Sequence, residues 1–240
     1  MKYAVITGSS KGIGKQTGID LLKMGYFVIF NYGHDDSILA SLKDDLSQFS
    51  QNYEIIKNDF SSESNIKNFV KKVTEITKVV DVLILNAAIT DRTPFDKMTI
   101  ELFNKVLMTN LTAPCFLVQQ FKPLIPRNGN IIFLSSILGV VPHALSISYG
   151  ISKAGINMLA KYLVKEFCEI GIRVNVIAPS FVETPWQKNK PEEIRKNIEN
   201  KLSLHRFATP EEISDAILFV INNTYMNGSI LDISGGYSYK

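Results

Sequence analysis

The amino-acid sequence predicts an open, doubly wound α/β fold, and three observations carry that prediction. Short apolar runs alternate with longer amphipathic ones from end to end. Several short runs are apolar on successive residues, the habit of parallel strands covered by helices on both faces. A glycine-rich turn joins the first short run to the first long one. Seven strand-like runs arranged in this way imply a mostly parallel seven-stranded sheet with helices on both faces.

In chain order the strand-like runs are "YAVIT" (3–7), "FVIF" (27–30), "YEII" (53–56), "DVLIL" (81–85), "NIIFLS" (130–135), "RVNVIA" (173–178) and "ILDIS" (230–234). The first helix-period stretch runs from Ile13 to Met24 and stops at Gly25, a natural residue just past a helix end. Others cover 37–48, 64–77, 99–113 and 151–170, and Pro114 should end or kink the 99–113 helix. Residues 183–209 break the alternation, being polar, charged and proline-led. Pro191 followed by Glu192 and Glu193 marks a helix start there. That stretch reads as a small mobile lid over a site, or else as a plain solvated surface helix. Without linker, repeat or low-complexity tract, residues 1–240 read as one domain.

A chain of 240 residues that is 45% hydrophobic can bury a full core. Its formal charge of +3 comes from lysines interleaved with acids, so no basic stripe for nucleic acid is visible. Cys115 and Cys168 lie far apart in apolar segments and read as buried free thiols in a reducing cytoplasm. His34, His143 and His205 match no metal-ligand spacing, so no metal is expected. The first residues lack a signal-peptide pattern, and no apolar run reaches membrane-helix length. The expectation is a soluble cytoplasmic protein.

The turn "VITGSSKGIGKQTG" sets Gly8, Gly12 and Gly14 between the first strand and first helix. Glycines there let the backbone approach a pyrophosphate, and the helix then offers its free N–H groups to the anion. Its spacing is TGxxxGxG rather than GxGxxG. A dinucleotide site usually shows an acid about twenty residues on, bonded to the adenine ribose. In "FVIFNYGHDD" Asn31 stands at that place, while Lys11 lies in the glycine-rich loop. A missing carboxylate and an added ammonium suit a 2′-phosphate, which favours NADP(H). Asp35 and Asp36 stand against this, and they read as the N-terminal acids of the next helix.

With "TGSSKGIG" (7–14), "NDF" (58–60), "LNAAI" (85–89), "TNLTAP" (109–114), "IIFLSS" (131–136), "YGISK" (149–153), "IRVNVIAPSFVET" (172–184) and "NGSILDISGGY" (227–237), the whole chain resembles the short-chain dehydrogenase/reductases. The resemblance implies a Rossmann-like fold, a homotetramer and a catalytic tetrad at Asn110, Ser136, Tyr149 and Lys153. Ser136 is preferred to Ser135 because the family serine lies thirteen residues before its tyrosine. Gly8, Ser10, Gly12 and Gly14, with Lys11 and Ile13 among them, match the pyrophosphate loop. Asp59, followed by Phe60, matches the residue bonded to adenine, and Asn86, Ala87 and Ala88 match the segment beside it. Thr184 matches the contact to the nicotinamide carboxamide, with Pro179 and Val182 on the approach to it.

The residue types suit that chemistry. Reducing a ketone needs a hydride from nicotinamide and a proton for the oxygen. A tyrosine can give the proton, but its pKa of about 10 makes the phenolate unfavourable near neutrality. A lysine at i+4 shares its helical face and favours the phenolate, and a shift of about three units is worth about 4 kcal/mol. Ser136 can bond the substrate oxygen as an oxyanion-hole donor does. Asn110, poor in a helix interior, gains a role from the resemblance, holding a water that relays protons past Lys153. A lone Tyr–Lys pair would read as an ordinary surface pair; all four residues in family order do not.

Two motifs depart from the family. Its usual Asn-Ala-Gly reads Asn86-Ala87-Ala88, and its usual Pro-Gly reads Pro179-Ser180, which loses glycine's backbone freedom. Within the family the sequence is most similar to 3-oxoacyl-[acyl-carrier-protein] reductases of fatty acid biosynthesis, through "NIIFLSSILG", "SFVETPW", "LHRFATPEEIS" and "ISGGY". Arg127 matches one basic position with which those enzymes meet their acidic carrier protein, while Ile170 stands at the other. "ILGVVPHALSI", between Ser136 and Tyr149, is mostly apolar, so Leu138 and His143, with Trp186 closing over them, are expected around an acyl or other apolar ketone. The alternatives are a dehydrogenase of another alcohol, sugar or polyol, or an NADP-binding sensor without turnover.

Overall fold

Strand β1 (Lys2–Ile6) lies at the middle of the sheet, flanked by β2 (Tyr26–Tyr32) and β4 (Val82–Leu85). The protein is described here from a computed structural model covering residues 1–49, 52–142 and 146–239. With β3 (Tyr53–Lys57), β5 (Asn130–Leu134), β6 (Arg173–Pro179) and β7 (Ile230–Ile233), the order is β3-β2-β1-β4-β5-β6-β7. Every pairing is parallel. This is the doubly wound seven-stranded sheet expected from the apolar runs. Their doubly apolar character has a direct cause. Val5, Leu83 and Ile131 enter the core on one face, and Ile6, Ile84 and Ile132 enter the core on the other.

Helices α3 (Glu63–Ile76), α5 (Ala113–Phe121) and α6 (Ile147–Glu166) cover the first face, with Phe69 and Phe121 in edge contact at 6.1 Å. Helices α1 (Gly12–Lys23), α2 (Ile38–Leu46) and α8 (Pro210–Asn222) cover the second through Leu21, Leu42, Leu46, Ile213 and Ile217. The Ser214 hydroxyl donates to the Asp20 carboxylate at 2.8 Å, joining α8 to α1. Helix α8 has no counterpart among the sequence expectations. Its start is a capping box, in which Thr209 accepts from the Glu212 N–H and Glu212 accepts from the Thr209 N–H.

The 99–113 helix is also different in kind. Helix α4 (Ile100–Leu107) widens into a π-turn at Met108–Thr112 and runs on directly into α5. Pro114 has no N–H to give the Asn110 carbonyl four residues back. A π-turn accommodates that missing bond without breaking the rod. Helix α6 starts at Ile147 rather than 151, which brings Tyr149 inside it. Cys168 is exposed rather than buried, because α6 has already ended at Glu166. Ser180, despite replacing a glycine, is not in the left-handed region, so its side chain adds no strain. Among the described residues no helix is long and apolar enough to cross a membrane.

Arg173 at the start of β6 is only 9% exposed. Its guanidinium donates to the carbonyls of Val220, Ile221, Asn223 and Met226 at 2.9–3.1 Å. It thereby closes the C-terminal end of α8, where carbonyls lack helical donors and the dipole is negative. Arg173→Ala is expected to lower unfolding stability by about 3 kcal/mol, read from urea denaturation. An unchanged midpoint would show that those carbonyls find other donors.

Candidate active site

A cavity of about 510 Å³ opens beside the C-terminal ends of the parallel strands, where the strand order turns outward from β1 in both directions. Its floor is the turn Gly8–Ile13. Gly8 has φ +61°, and a Cβ there would stand 2.7 Å from the Ala87 Cα. Glycine is therefore required on conformation and on space alike. Asn86 braces the same turn, its amide donating to the carbonyls of Thr7 and Gly8 at 3.0 and 2.7 Å. The Thr7 hydroxyl accepts from the N–H groups of Asn86 and Ala87. Ser10, Lys11, Gly12 and Ile13 all face the cavity, as do Ala87 and Ala88. Gly14 lies behind them, where a Cβ would meet the Asn86 amide at 2.6 Å.

At the far end Asn31 lines the cavity, as expected, but its polar atoms are engaged by the protein itself. Its carbonyl oxygen accepts from the Gly8 N–H, and its amide donates to the carbonyls of Tyr32, Ile56 and Asn58. A side chain 1% exposed and bonded on both polar atoms ties β2 to its neighbours and is not free to select a ribose substituent. From Asn31 the wall continues through Tyr32, Gly33, His34 and Asp35, of which the sequence reading weighed only Asp35 for this end of the cavity. Asp35 is not an acid of the helix turn. It precedes α2, bonds Ser37, and is held below the usual carboxylate range chiefly by that bond, with Lys11 adding in the same sense. Asp59 and Phe60 line the cavity opposite. Burial alone would raise the Asp59 carboxyl, but bonds from Ser61 and Asn65 hold it below its ordinary value. His34 faces it at 4.0 Å.

The other end carries Ser136, Tyr149 and Lys153. Ser136 follows β5, while Tyr149 and Lys153 lie one turn apart on α6. The Tyr149 phenol is pushed up to about 12 by burial, and its hydrogen bond with Ser136 pulls the other way. Lys153, 3% exposed, donates to the Leu134 carbonyl at 2.6 Å and stands 5.5 Å from the centre of the tyrosine ring. Burial lowers it to about 8. The ammonium is thus poised beside a phenol that keeps its proton at neutral pH.

Asn110 is not on the cavity wall. Its side chain bonds both main-chain groups of Ile89, at 2.8 and 2.9 Å, and the Ser152 hydroxyl at 3.1 Å. It pins the π-turn to the loop after β4 and to α6. Ser135 faces the cavity as well, donating to the Lys153 carbonyl at 3.2 Å. Pro179, Val182 and Thr184 form the wall after β6, and Trp186 meets the Tyr149 ring edge-on at 6.3 Å. Leu138 lies behind Ser136, its N–H donating to that hydroxyl, and His143 falls outside the described residues. Lys105 and Gln187, which also line the cavity, carried no motif signal, while Thr109, a further lining residue, opens the run "TNLTAP".

Residues 8–238 match the family described as enoyl-(acyl carrier protein) reductase. The 3-oxoacyl-[acyl-carrier-protein] reductase FabG of Thermotoga maritima is 32% identical over 239 residues, covering 98% of this chain and 97% of the relative. The reductase of the same name from Rickettsia prowazekii is also 32% identical, covering 98% and 96%. Among solved structures, the Pseudomonas aeruginosa RhlG/NADP active-site complex matches with TM-score 0.91 at 26% identity, over 98% of this chain and 96% of that one. The angucycline C-6 ketoreductase LanV with bound NADP shares the fold at TM-score 0.91 and 24% identity, over 98% and 95%.

Proposed function

This chain belongs to the short-chain dehydrogenase/reductase family, and from that premise we propose that it reduces a carbonyl to an alcohol with NADPH, its substrate a 3-oxoacyl thioester. One observation carries the reading: a protonated Tyr149 bonded to Ser136, with the Lys153 ammonium beside its ring, on the wall of an elongated cavity. The cavity fits a dinucleotide. It runs from His34 and Asp59 past the glycine-rich turn and the start of α1 to Tyr149 and Trp186. Lys11 and His34 near its outer end suit a ribose 2′-phosphate, with the Lys11 charge offsetting the Asp35 carboxylate on the same wall, and NADP is further supported by the NADP complex of RhlG.

Bound NADPH supplies the hydride. Tyr149 gives its phenolic proton to the carbonyl oxygen, which Ser136 holds. The phenolate left behind is stabilised by Ser136 and the Lys153 charge. Asn110 fixes the π-turn on which the water relay toward Lys153 depends. The stretch 183–209 serves as the lid of a single domain. Helix α7 (Glu192–Glu199) is tied back through a two-pronged Arg195–Glu183 pair and by Ile198 and Phe207 against Phe181. Leu102, Phe116, Ile151, Met158 and Tyr162 are exposed along α4 to α6, an apolar surface suited to assembly as a homotetramer. Exposed Arg127 is the candidate contact to an acyl carrier protein.

The test follows NADPH oxidation with acetoacetyl-CoA, an acetoacetyl carrier protein, and a panel of sugars and simple ketones. The thioesters should turn over fastest, and NADPH should bind more tightly than NADH. Faster turnover of a sugar, or none of any substrate despite NADPH binding, would overturn the substrate reading or the enzyme reading respectively.

A further inference from the structure

Gln187 presents a polar atom without a partner. The residue is 9% exposed, lines the cavity, and its side-chain oxygen Oε1 is buried with no hydrogen-bond donor. An unsatisfied buried amide oxygen costs about 1–3 kcal/mol unless a ligand supplies the missing donor. The backbone aims it. The Gln187 N–H donates to the Thr184 carbonyl at 2.8 Å, closing a tight four-residue turn. That turn brings Gln187 back beside Thr184, and both line the cavity. The Thr184 Cγ2 is 3.0 Å from where a Gly12 Cβ would stand. That is the glycine-rich, cofactor side of the cavity. Trp186 turns instead toward Tyr149.

We propose that Gln187 Oε1 accepts a hydrogen bond from the amide nitrogen of the nicotinamide carboxamide, and so fixes the orientation of the reacting ring. The inference rests on the dinucleotide reading of the cavity. It divides the carboxamide between two residues of one turn. The Thr184 hydroxyl serves the carbonyl oxygen, and Gln187 serves the N–H₂. Gln187 is a positioning residue, since it would hold the ring without touching the transferred proton.

The chain has a single tryptophan, Trp186, so nucleotide binding can be followed by its fluorescence without turnover. NADP⁺ is titrated beside its 3-acetylpyridine analogue, which keeps the ring and the carbonyl but carries a methyl group in place of the amide nitrogen. The parent should bind NADP⁺ about tenfold more tightly than the analogue. Gln187→Leu should bind the two within about twofold, and Gln187→Glu, which retains an acceptor, should keep the preference. Equal binding of both by the parent, an unchanged preference in Gln187→Leu, or a lost preference in Gln187→Glu would overturn the proposal. So would an unchanged preference with a raised KM for the carbonyl substrate, which would place Gln187 on the substrate. Failure of the dinucleotide reading itself would show differently, as no binding of either nucleotide by the parent.

Discussion

Tyr149→Phe is expected to slow carbonyl reduction about 10³-fold while leaving NADPH affinity within about twofold. The substitution removes one oxygen from a helix position fixed by its neighbours, so α6 should not move. What disappears is the proton donor and half of its hydrogen bond with Ser136. Comparing initial rates with the dissociation constant from fluorescence separates chemistry from binding. A variant as fast as the parent would sink the assignment of Tyr149 as the acid.

Lys153→Met should slow reduction by a comparable factor, and its second signature is pH dependence. The parent needs the ammonium to stabilise the phenolate, and burial places that ammonium near pKa 8. Reduction by the parent should therefore hold level below pH 8 and fall above it, while the residual rate of the variant should lack that fall. Stability moves the opposite way. The folded chain holds this proton less tightly than the unfolded one, whose lysine keeps the ordinary value of 10.5. The lysine thus opposes folding at neutral pH, and the penalty fades as pH rises between the two values. Lys153→Met should melt at the same temperature as the parent or higher at pH 7. A melt lowered by several degrees, or a parent profile flat to pH 10, would contradict this account.

The sheet and the grouping of Ser136, Tyr149 and Lys153 were legible because each leaves a local mark. A strand buried on both faces must be apolar at consecutive positions, as Val5 and Ile6 are, and the tyrosine and lysine needed a fixed spacing on one helix. What escaped depends on through-space partners. Asn31 stands directly before Tyr32 on the cavity wall, and only the fold shows its amide turned into the sheet toward Ile56 and Asn58. The π-turn follows from Pro114 facing the Asn110 carbonyl, which a helical pattern alone cannot express. Gln187 sits in a charged stretch with no apolar rhythm, so nothing in its surroundings announced burial. Helix α8 did carry a mark, the run Thr209-Pro210-Glu211-Glu212, which begins on the last residue of the segment read as irregular.

The seam between α1 and α8 also governs when this protein can become competent during synthesis. The first helix supplies the anion-facing end of the cleft, yet Leu21 and Asp20 find Ile213, Ile217 and Ser214 only near the chain's end. Contacts between residues so distant in sequence are slow to close and come last. A nascent chain stopped before residue 210 would carry Ser136, Tyr149 and Lys153 but would leave the second face of its sheet without α8. Because the polypeptide emerges from its N-terminal end, this seam can close only once about the last eighth of the chain is free.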